Sequence, residues 1–341
     1  MEIKGMRRGF YTSGILVVDK IKFINSYPDE GMLTMIDSMQ YSGGGIYNAA
    51  VDLKVICPEL PVYTMGLVGD DADGDYVISS LKSKGIDVSA IRKISGAPTS
   101  FTDVMTDKNN GRRTFFHYSG ANNLIDIGDI LSAENNAKIF HYSYLLALKK
   151  LDSEDAEFGV AAARLFKKLC EKGYKCCADV ISETGNRYKN VVIPCLKYLD
   201  YFIINEIEAG KITDMEIRRK DNSINEENLR KAAHKLMESG VRDCVIIHFP
   251  EAAFGVNSKG ETEYIRSLKI EDKNIAGTVG AGDAFCAGAL FGLHEDMPLK
   301  KIIQIANVSA YYNLFSPTAT GGAVSYDVIS KTISTYYGGL Q

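Results

Sequence analysis

Short, continuous apolar runs recur along the chain, with amphipathic stretches between them. Tyr11 to Val18 carries the run GILVV and ends at Asp19, and YKCCADV ends near Asp179. KYLDYFIINEIEA places Asn205 and Glu208 just beyond its apolar part, and DCVIIHF closes the series. Unbroken runs of this length, bounded by turn residues, predict buried strands. VYTMGLVGDDADG, DYVISSLKSKG and IDVSAI read as strand, acidic turn, helix closed by Gly85, and strand. Residues 160–172 set Leu165, Phe166, Leu169 and Cys170 on one helical face with Gly173 as the stop. Glu226 to Ser239 does the same through Leu229, Ala233, Leu236 and Met237 before Gly240. Strand and helix alternating in this way predict an α/β fold, a doubly wound, mainly parallel central sheet flanked by helices.

Two stretches break the alternation. Lys20 to Gln40 and Pro98 to Tyr118 run in short alternating pieces, and in the second, two such segments flank DKNNG, a hairpin signal. Together they predict one small inserted β-sheet, a lid built from about 20–42 and 98–118 over a site on the main body. The sequence holds no repeat of solenoid period, no low-complexity tract and no linker rich in Pro or Ser, so a single domain over 1–341 is expected.

Composition narrows the partners. Hydrophobic residues make up 45% of the 341, enough for a sizeable core. A formal net charge of −4 and the lack of a clustered Lys/Arg run offer nucleic acid no basic field. No run of 18 apolar residues exists, and the opening MEIKGMRRGF is too short in its apolar part for a signal peptide. No membrane partner and a cytoplasmic location are therefore expected. The seven cysteines show neither CxxC nor zinc spacing, and the five histidines form no HxxxH or HxH pair. Packed, reduced thiols and no protein-built transition-metal site are the expectation.

Three places carry candidate chemistry. GTVGAGDAFCAG, Gly277 to Gly288, puts Gly280, Ala281 and Gly282 ahead of Asp283 at what reads as a helix start. Backbone N–H groups there lack intrahelical partners and favour an anion, and a carboxylate among them is placed to take a proton from an attacking hydroxyl. An ordinary helix start with Asp in its first turn has the same composition. In YSGGGIYNAAVDLKVI, three glycines precede a helical segment, so the backbone closely approaches either a ligand or a packed strand. Asp19 lies either at the sheet edge where α/β proteins bind ligands or in a simple strand-end turn. GxxxxGK[ST] is absent and GAGDAF lacks the third glycine of a dinucleotide fingerprint, which argues against a P-loop enzyme and a dehydrogenase.

In chain order, SGGGIYNAA, GLVGDDADGDYVISSLKSKGIDV, IINEIEA and GTVGAGDAF resemble four motifs of the ribokinase-like carbohydrate kinases, the PfkB family, and the likeness runs from about Gly14 to Val328. The resemblance implies a phosphotransferase using ATP and Mg2+, which moves the γ-phosphoryl group to a hydroxyl, expected to be primary, of a small sugar or sugar acid. It implies Asp283 as general base and the backbone of Gly280, Ala281, Gly282 and Asp283 as anion hole. Asp19, Gly43, Gly44 and Asn48 fall on its sugar side. Asn205 and Glu208 match the positions that organise Mg2+ and the phosphates, Glu208 through water, and Thr278 and Asn307 fall on the nucleotide side. A homodimer formed through the lid is implied as well.

The chain departs from the family pattern twice. Gly277 stands where family members commonly have Asp, an acid that often helps hold a monovalent cation, and its loss predicts a rate that depends little on K+ against Na+. In HFPEAAFGV, His248, Pro250 and Ala253 replace a Thr and two glycines, and Pro lacks the N–H for the usual backbone approach to the nucleotide. A nucleoside kinase and a non-catalytic, sugar-binding regulatory homologue are the alternative readings. Asp19, Tyr47, Phe101 and His117 are the side chains expected to select an acceptor.

Overall fold

Eight strands form the central sheet, in the spatial order Thr262–Arg266, Ala252–Asn257, Cys244–Phe249, Tyr201–Asn205, Lys175–Val180, Ile139–Leu145, Phe10–Gly14, Val62–Met65. In this computed structural model, which describes residues 7–109 and 111–338, all neighbours are parallel except that Ala252–Asn257 runs against both of its own. The start of the MEIKGMRRGF stretch and Asn110 of DKNNG lie outside the described residues. The apolar runs are continuous because helices cover both faces of the sheet. Phe10, Ile139, Cys177, Ile203 and Ile246 belong to one core layer, with side chains of the helices Ile46–Ile56, Ala281–His294 and Leu299–Asn313. Their neighbours Tyr11, Phe140, Cys176, Phe202 and Val245 belong to the other, with Ala161–Glu171, Tyr188–Leu196 and Glu226–Glu238. Among the described residues no helix is long and apolar enough to cross a membrane.

A second sheet of four strands sits apart, in the order Ile36–Gly45, Leu16–Ile24, Phe101–Asp107, Arg113–Tyr118. Its middle pair is parallel and its outer pairs antiparallel. Its strands start and end outside the expected 20–42 window, because GILVV is not one strand. Phe10–Gly14 belongs to the central sheet, and Leu16–Ile24 begins the small one two residues later. The hinge is Gly14, at φ 142, where a Cβ would fall 2.2 Å from the Ser143 carbonyl oxygen. Asp19 is therefore not at the end of a central strand but inside a small-sheet strand, opposite Ser42 and Thr102.

IDVSAI also differs from expectation. Only an isolated bridge joins Asp87 to Tyr63, and the next strand is Arg92–Ile94. The Asp87 carboxylate accepts from the Ser89 N–H at 2.9 Å and the Ile91 N–H donates to the Val88 carbonyl at 2.9 Å, so the segment folds into turns.

Candidate active site

From Phe10–Gly14 the sheet grows in both directions, to Val62–Met65 on one side and Ile139–Leu145 on the other. Such a switch point opens a crevice at the carboxyl ends of the strands. A cavity of about 590 Å³ occupies it, lined by Tyr144, Asp179, Asn205 and His248 from strand ends and by Asp19, Thr102 and His117 from the small sheet. Gly44 and Asn48 close one wall, and Thr278, Gly280, Gly282 and Asp283 another.

Asp283 sits in the first turn of the Ala281–His294 helix, whose N-cap Gly280 has φ 80. A Cβ at Gly280 would fall 2.4 Å from the Ala319 carbonyl oxygen, so glycine is required there. The Ala284 N–H makes the first full-turn bond, to the Gly280 carbonyl at 2.8 Å, so the N–H groups before it precede the regular ladder. The Ala281 N–H leans on the Thr278 carbonyl at 3.4 Å, and Ala281 is not among the lining residues. The open part of the cradle is therefore at Gly282 and Asp283.

The Asp283 carboxylate is held from both sides. Its Oδ2 accepts from Asn48 Nδ2 at 2.8 Å and its Oδ1 from the Tyr144 hydroxyl at 2.5 Å. Burial raises its pKa above the usual carboxylate range, and these two hydrogen bonds pull it back. A carboxylate so placed is more basic than in water, which suits proton abstraction.

Tyr144 was not singled out from the sequence. It is the penultimate residue of the Ile139–Leu145 strand, at φ 71, and Leu146 just past the strand is at φ 77, unusual backbone for side-chain-bearing residues and of a kind that gathers at functional sites. The Tyr144 N–H donates to Asp179 Oδ1. Asp179 is buried, and burial together with the charges of Asp283 and Glu208 pushes its pKa up. Behind it, His141, Asp179 and Cys286 bring a nitrogen, an oxygen and a sulfur within 4.8 Å of one another, a grouping that no sequence spacing reveals. Burial pulls the His141 pKa down to about 3, so the ring is neutral, and Nε2 lies 2.9 Å from the Ser143 hydroxyl.

On the acceptor wall, burial pushes the Asp19 pKa up to about 7, against a hydrogen bond from Thr102. A Cβ at Gly44 would fall 2.7 Å from Asp19 Oδ2, so this glycine makes room for the carboxylate. Gly43 has a different task, since a Cβ there would fall 2.0 Å from the Tyr47 ring, and it does not line the cavity. Tyr47 and Phe101 also lie off the wall. The Tyr47 hydroxyl pairs with Ser80 at 2.7 Å, and Phe101 packs on Tyr118 at 5.6 Å between ring centres. His117 does line it, next to Phe115 and 3.2 Å from the Thr102 hydroxyl.

Asn205 and Glu208 form a reciprocal cap on the Glu206–Thr213 helix. Asn205 Oδ1 accepts from the Glu208 N–H at 2.9 Å, and Glu208 Oε2 from the Asn205 N–H at 3.0 Å. Glu208 Oε1 accepts from Asn205 Nδ2 at 2.8 Å and Ser182 Oγ at 2.7 Å, and burial pushes its pKa up to about 7. Three hydrogen bonds on a carboxylate with about four acceptor positions leave room for one more partner. That one position would let Glu208 hold a hydrated Mg2+ through water.

HFPEAAFGV is a tight hairpin in which Phe249 pairs with Ala252 across Pro250 and Glu251. His248, neutral because burial pulls its pKa down to about 4, stacks on Phe285 at 4.6 Å, and its Cε1 lies 3.6 Å from where a Gly282 Cβ would be. Asn307 is not brought to the cavity. Its amide donates to the Ile265 and Arg266 carbonyls at 3.3 and 3.4 Å, tying its helix to the edge strand. Among the described lining residues there is no Lys or Arg, against the carboxylates of Asp19, Asp179, Glu208 and Asp283.

A family model described as pfkB family carbohydrate kinase matches residues 13–323. A ribokinase of Schizosaccharomyces pombe is 25% identical over 270 residues, 77% of each chain. The crystal structure of a Thermotoga maritima ribokinase superposes with a TM-score of 0.76 at 19% identity, covering 96% of this chain and 99% of that one. The Arabidopsis thaliana ribokinase complexed with ribose and ATP gives 0.74 at 19%, covering 96% and 98%. At these identities the structural likeness shows the fold.

Proposed function

The chain belongs to the pfkB family of carbohydrate kinases, and we propose that it transfers the γ-phosphoryl group of ATP to a hydroxyl of an uncharged sugar, with Asp283 as the general base. The observation that carries this reading is the Asp283 carboxylate, clamped by Asn48 and Tyr144 beside an open helix start. An acceptor hydroxyl against Asp283 gives up its proton to that carboxylate as its oxygen attacks the γ-phosphorus, and the bond from that phosphorus to the bridging oxygen breaks to release ADP. The N–H groups of the cradle at Gly282 and Asp283 stabilise the charge on the transferring group, the part of such reactions in which positioning and neutralisation dominate. Mg2+, when bound, neutralises the donor's polyphosphate, and Asn205 and Glu208 would hold it through water. Thr278 and His248 border the donor side, and Asp19 and Thr102 present polar groups to the acceptor.

The described lining residues offer no Lys or Arg to a charged group on the acceptor, which favours a neutral polyol over a sugar acid or a phosphorylated sugar. The small sheet acts as a lid, because Asp19, Thr102, Phe115 and His117 reach the cavity from it. Its outer surface exposes Met39, Tyr41 and Phe116, which supports pairing with a second copy.

The test is a thermal-shift and turnover panel of neutral sugars, sugar acids and nucleosides with an ATP analogue or ATP and Mg2+. Stabilisation by a neutral sugar with ADP release on adding ATP is the expected result. A response to nucleosides alone selects the nucleoside kinase instead, and stabilisation without turnover selects a regulatory sugar-binding protein.

A further inference from the structure

Arg113 opens the Arg113–Tyr118 strand, opposite Thr106. Alternation along a strand puts Arg113, Phe115 and His117 on one face, and the latter two line the cavity. The guanidinium therefore leaves the small sheet on the cavity side and ends at the main body. Its Nη2 lies 3.2 Å from the position a Cβ would take at Gly277, three residues ahead of the cradle glycine Gly280. Its Nη1 is buried without a hydrogen-bond partner, and among the described residues Arg113 forms no ion pair. A half-buried guanidinium left unanswered is costly, so a structure that keeps one has an anionic partner still to come.

Gly277 fits this arrangement. A side chain there would crowd the guanidinium and come within 2.8 Å of the Ser316 carbonyl oxygen, so glycine keeps the slot open. The cavity wall itself supplies no Lys or Arg, yet a donor nucleotide brings several negative charges to the cradle. Resting on the kinase reading, we propose that Arg113 binds the polyphosphate of the donor nucleotide at the edge of the anion cradle, and that Gly277 lacks a side chain to admit it. A guanidinium is suited to the task, since its fork of donors matches phosphate oxygens two at a time. The arm also links the two sheets through the donor, so nucleotide binding draws the small sheet toward the main body.

The experiment is calorimetric binding of ADP, and separately of adenosine, to the whole chain and to Arg113→Met, Arg113→Lys and Gly277→Ala. Arg113→Met is expected to weaken ADP by about tenfold or more while leaving adenosine unchanged, with Arg113→Lys in between. Gly277→Ala, which keeps the arginine and blocks its slot, weakens ADP in the same direction. ADP bound equally by Arg113→Met and the parent overturns the proposal, as does a matching loss of adenosine. Circular dichroism of each variant separates a lost contact from a lost fold, and Gly277→Ala carries the test if Arg113→Met does not fold. Failure of the kinase reading looks different: ADP binding that depends on Arg113, with no acceptor phosphorylated.

Discussion

The place of Asp283 at a helix start could be read from GAGD, but the two groups that clamp its carboxylate could not. The Tyr144 hydroxyl and Asn48 amide favour the charged form of Asp283, so removing either donor raises its pKa further. Tyr144→Phe is expected to move the acid limb of the kcat/KM profile to higher pH. The loss is then largest on the acid side of the profile and shrinks as the pH rises; a uniform loss at every pH would assign Tyr144 to packing alone. No local motif marks Tyr144, because its role comes from a strand end that meets a helix 139 residues away. Gly277, by contrast, announces its effect in the sequence. It offers no carboxylate to a monovalent ion and has the Arg113 guanidinium beside it, so rates in K+ and Na+ at equal ionic strength should agree within about twofold. Stimulation by K+ well beyond that would place a cation site at the cradle after all.

At the scale of elements, the parallel strands and the amphipathic helices were legible because their apolar patterns answer to one core. Cys244–Phe249 and Ala161–Glu171 fall within a residue or two of where the pattern puts them. GILVV misled because an apolar run does not say which sheet it joins, and Gly14 divides it between two. The surroundings of Asn307 were not legible either, since its amide bonds two carbonyls of the edge strand, far away in sequence. The small sheet keeps two edge strands, Ile36–Gly45 and Arg113–Tyr118, and unpaired apolar edges invite another copy. Met39 and Phe116 are 49% and 58% exposed on it. The chain should sediment as a dimer, and Met39→Glu with Phe116→Glu should shift it to monomer; a parent that sediments as a monomer removes the dimer from the account.

For the molecule as a whole, the acidic cavity ties function to stability. Asp19 and Glu208 have folded pKa values pushed up to about 7, against roughly 4 when unfolded. Between those values the folded chain holds protons that the unfolded chain has lost, so stability falls as pH rises through that window and levels off above it. Asp19→Asn is therefore expected to raise the Tm of the ligand-free protein by a few degrees at pH 8 and by less at pH 5, while weakening the acceptor. Equal shifts at both pH values would show that Asp19 is not protonated in the fold. The central claim is that Asp283 takes the acceptor's proton, and kinetics of Asp283→Asn with paired binding measurements test it most directly. The account predicts a kcat lower by about 10²- to 10⁴-fold with acceptor and ADP affinities nearly unchanged. An unchanged kcat, or a loss confined to binding, would contradict it.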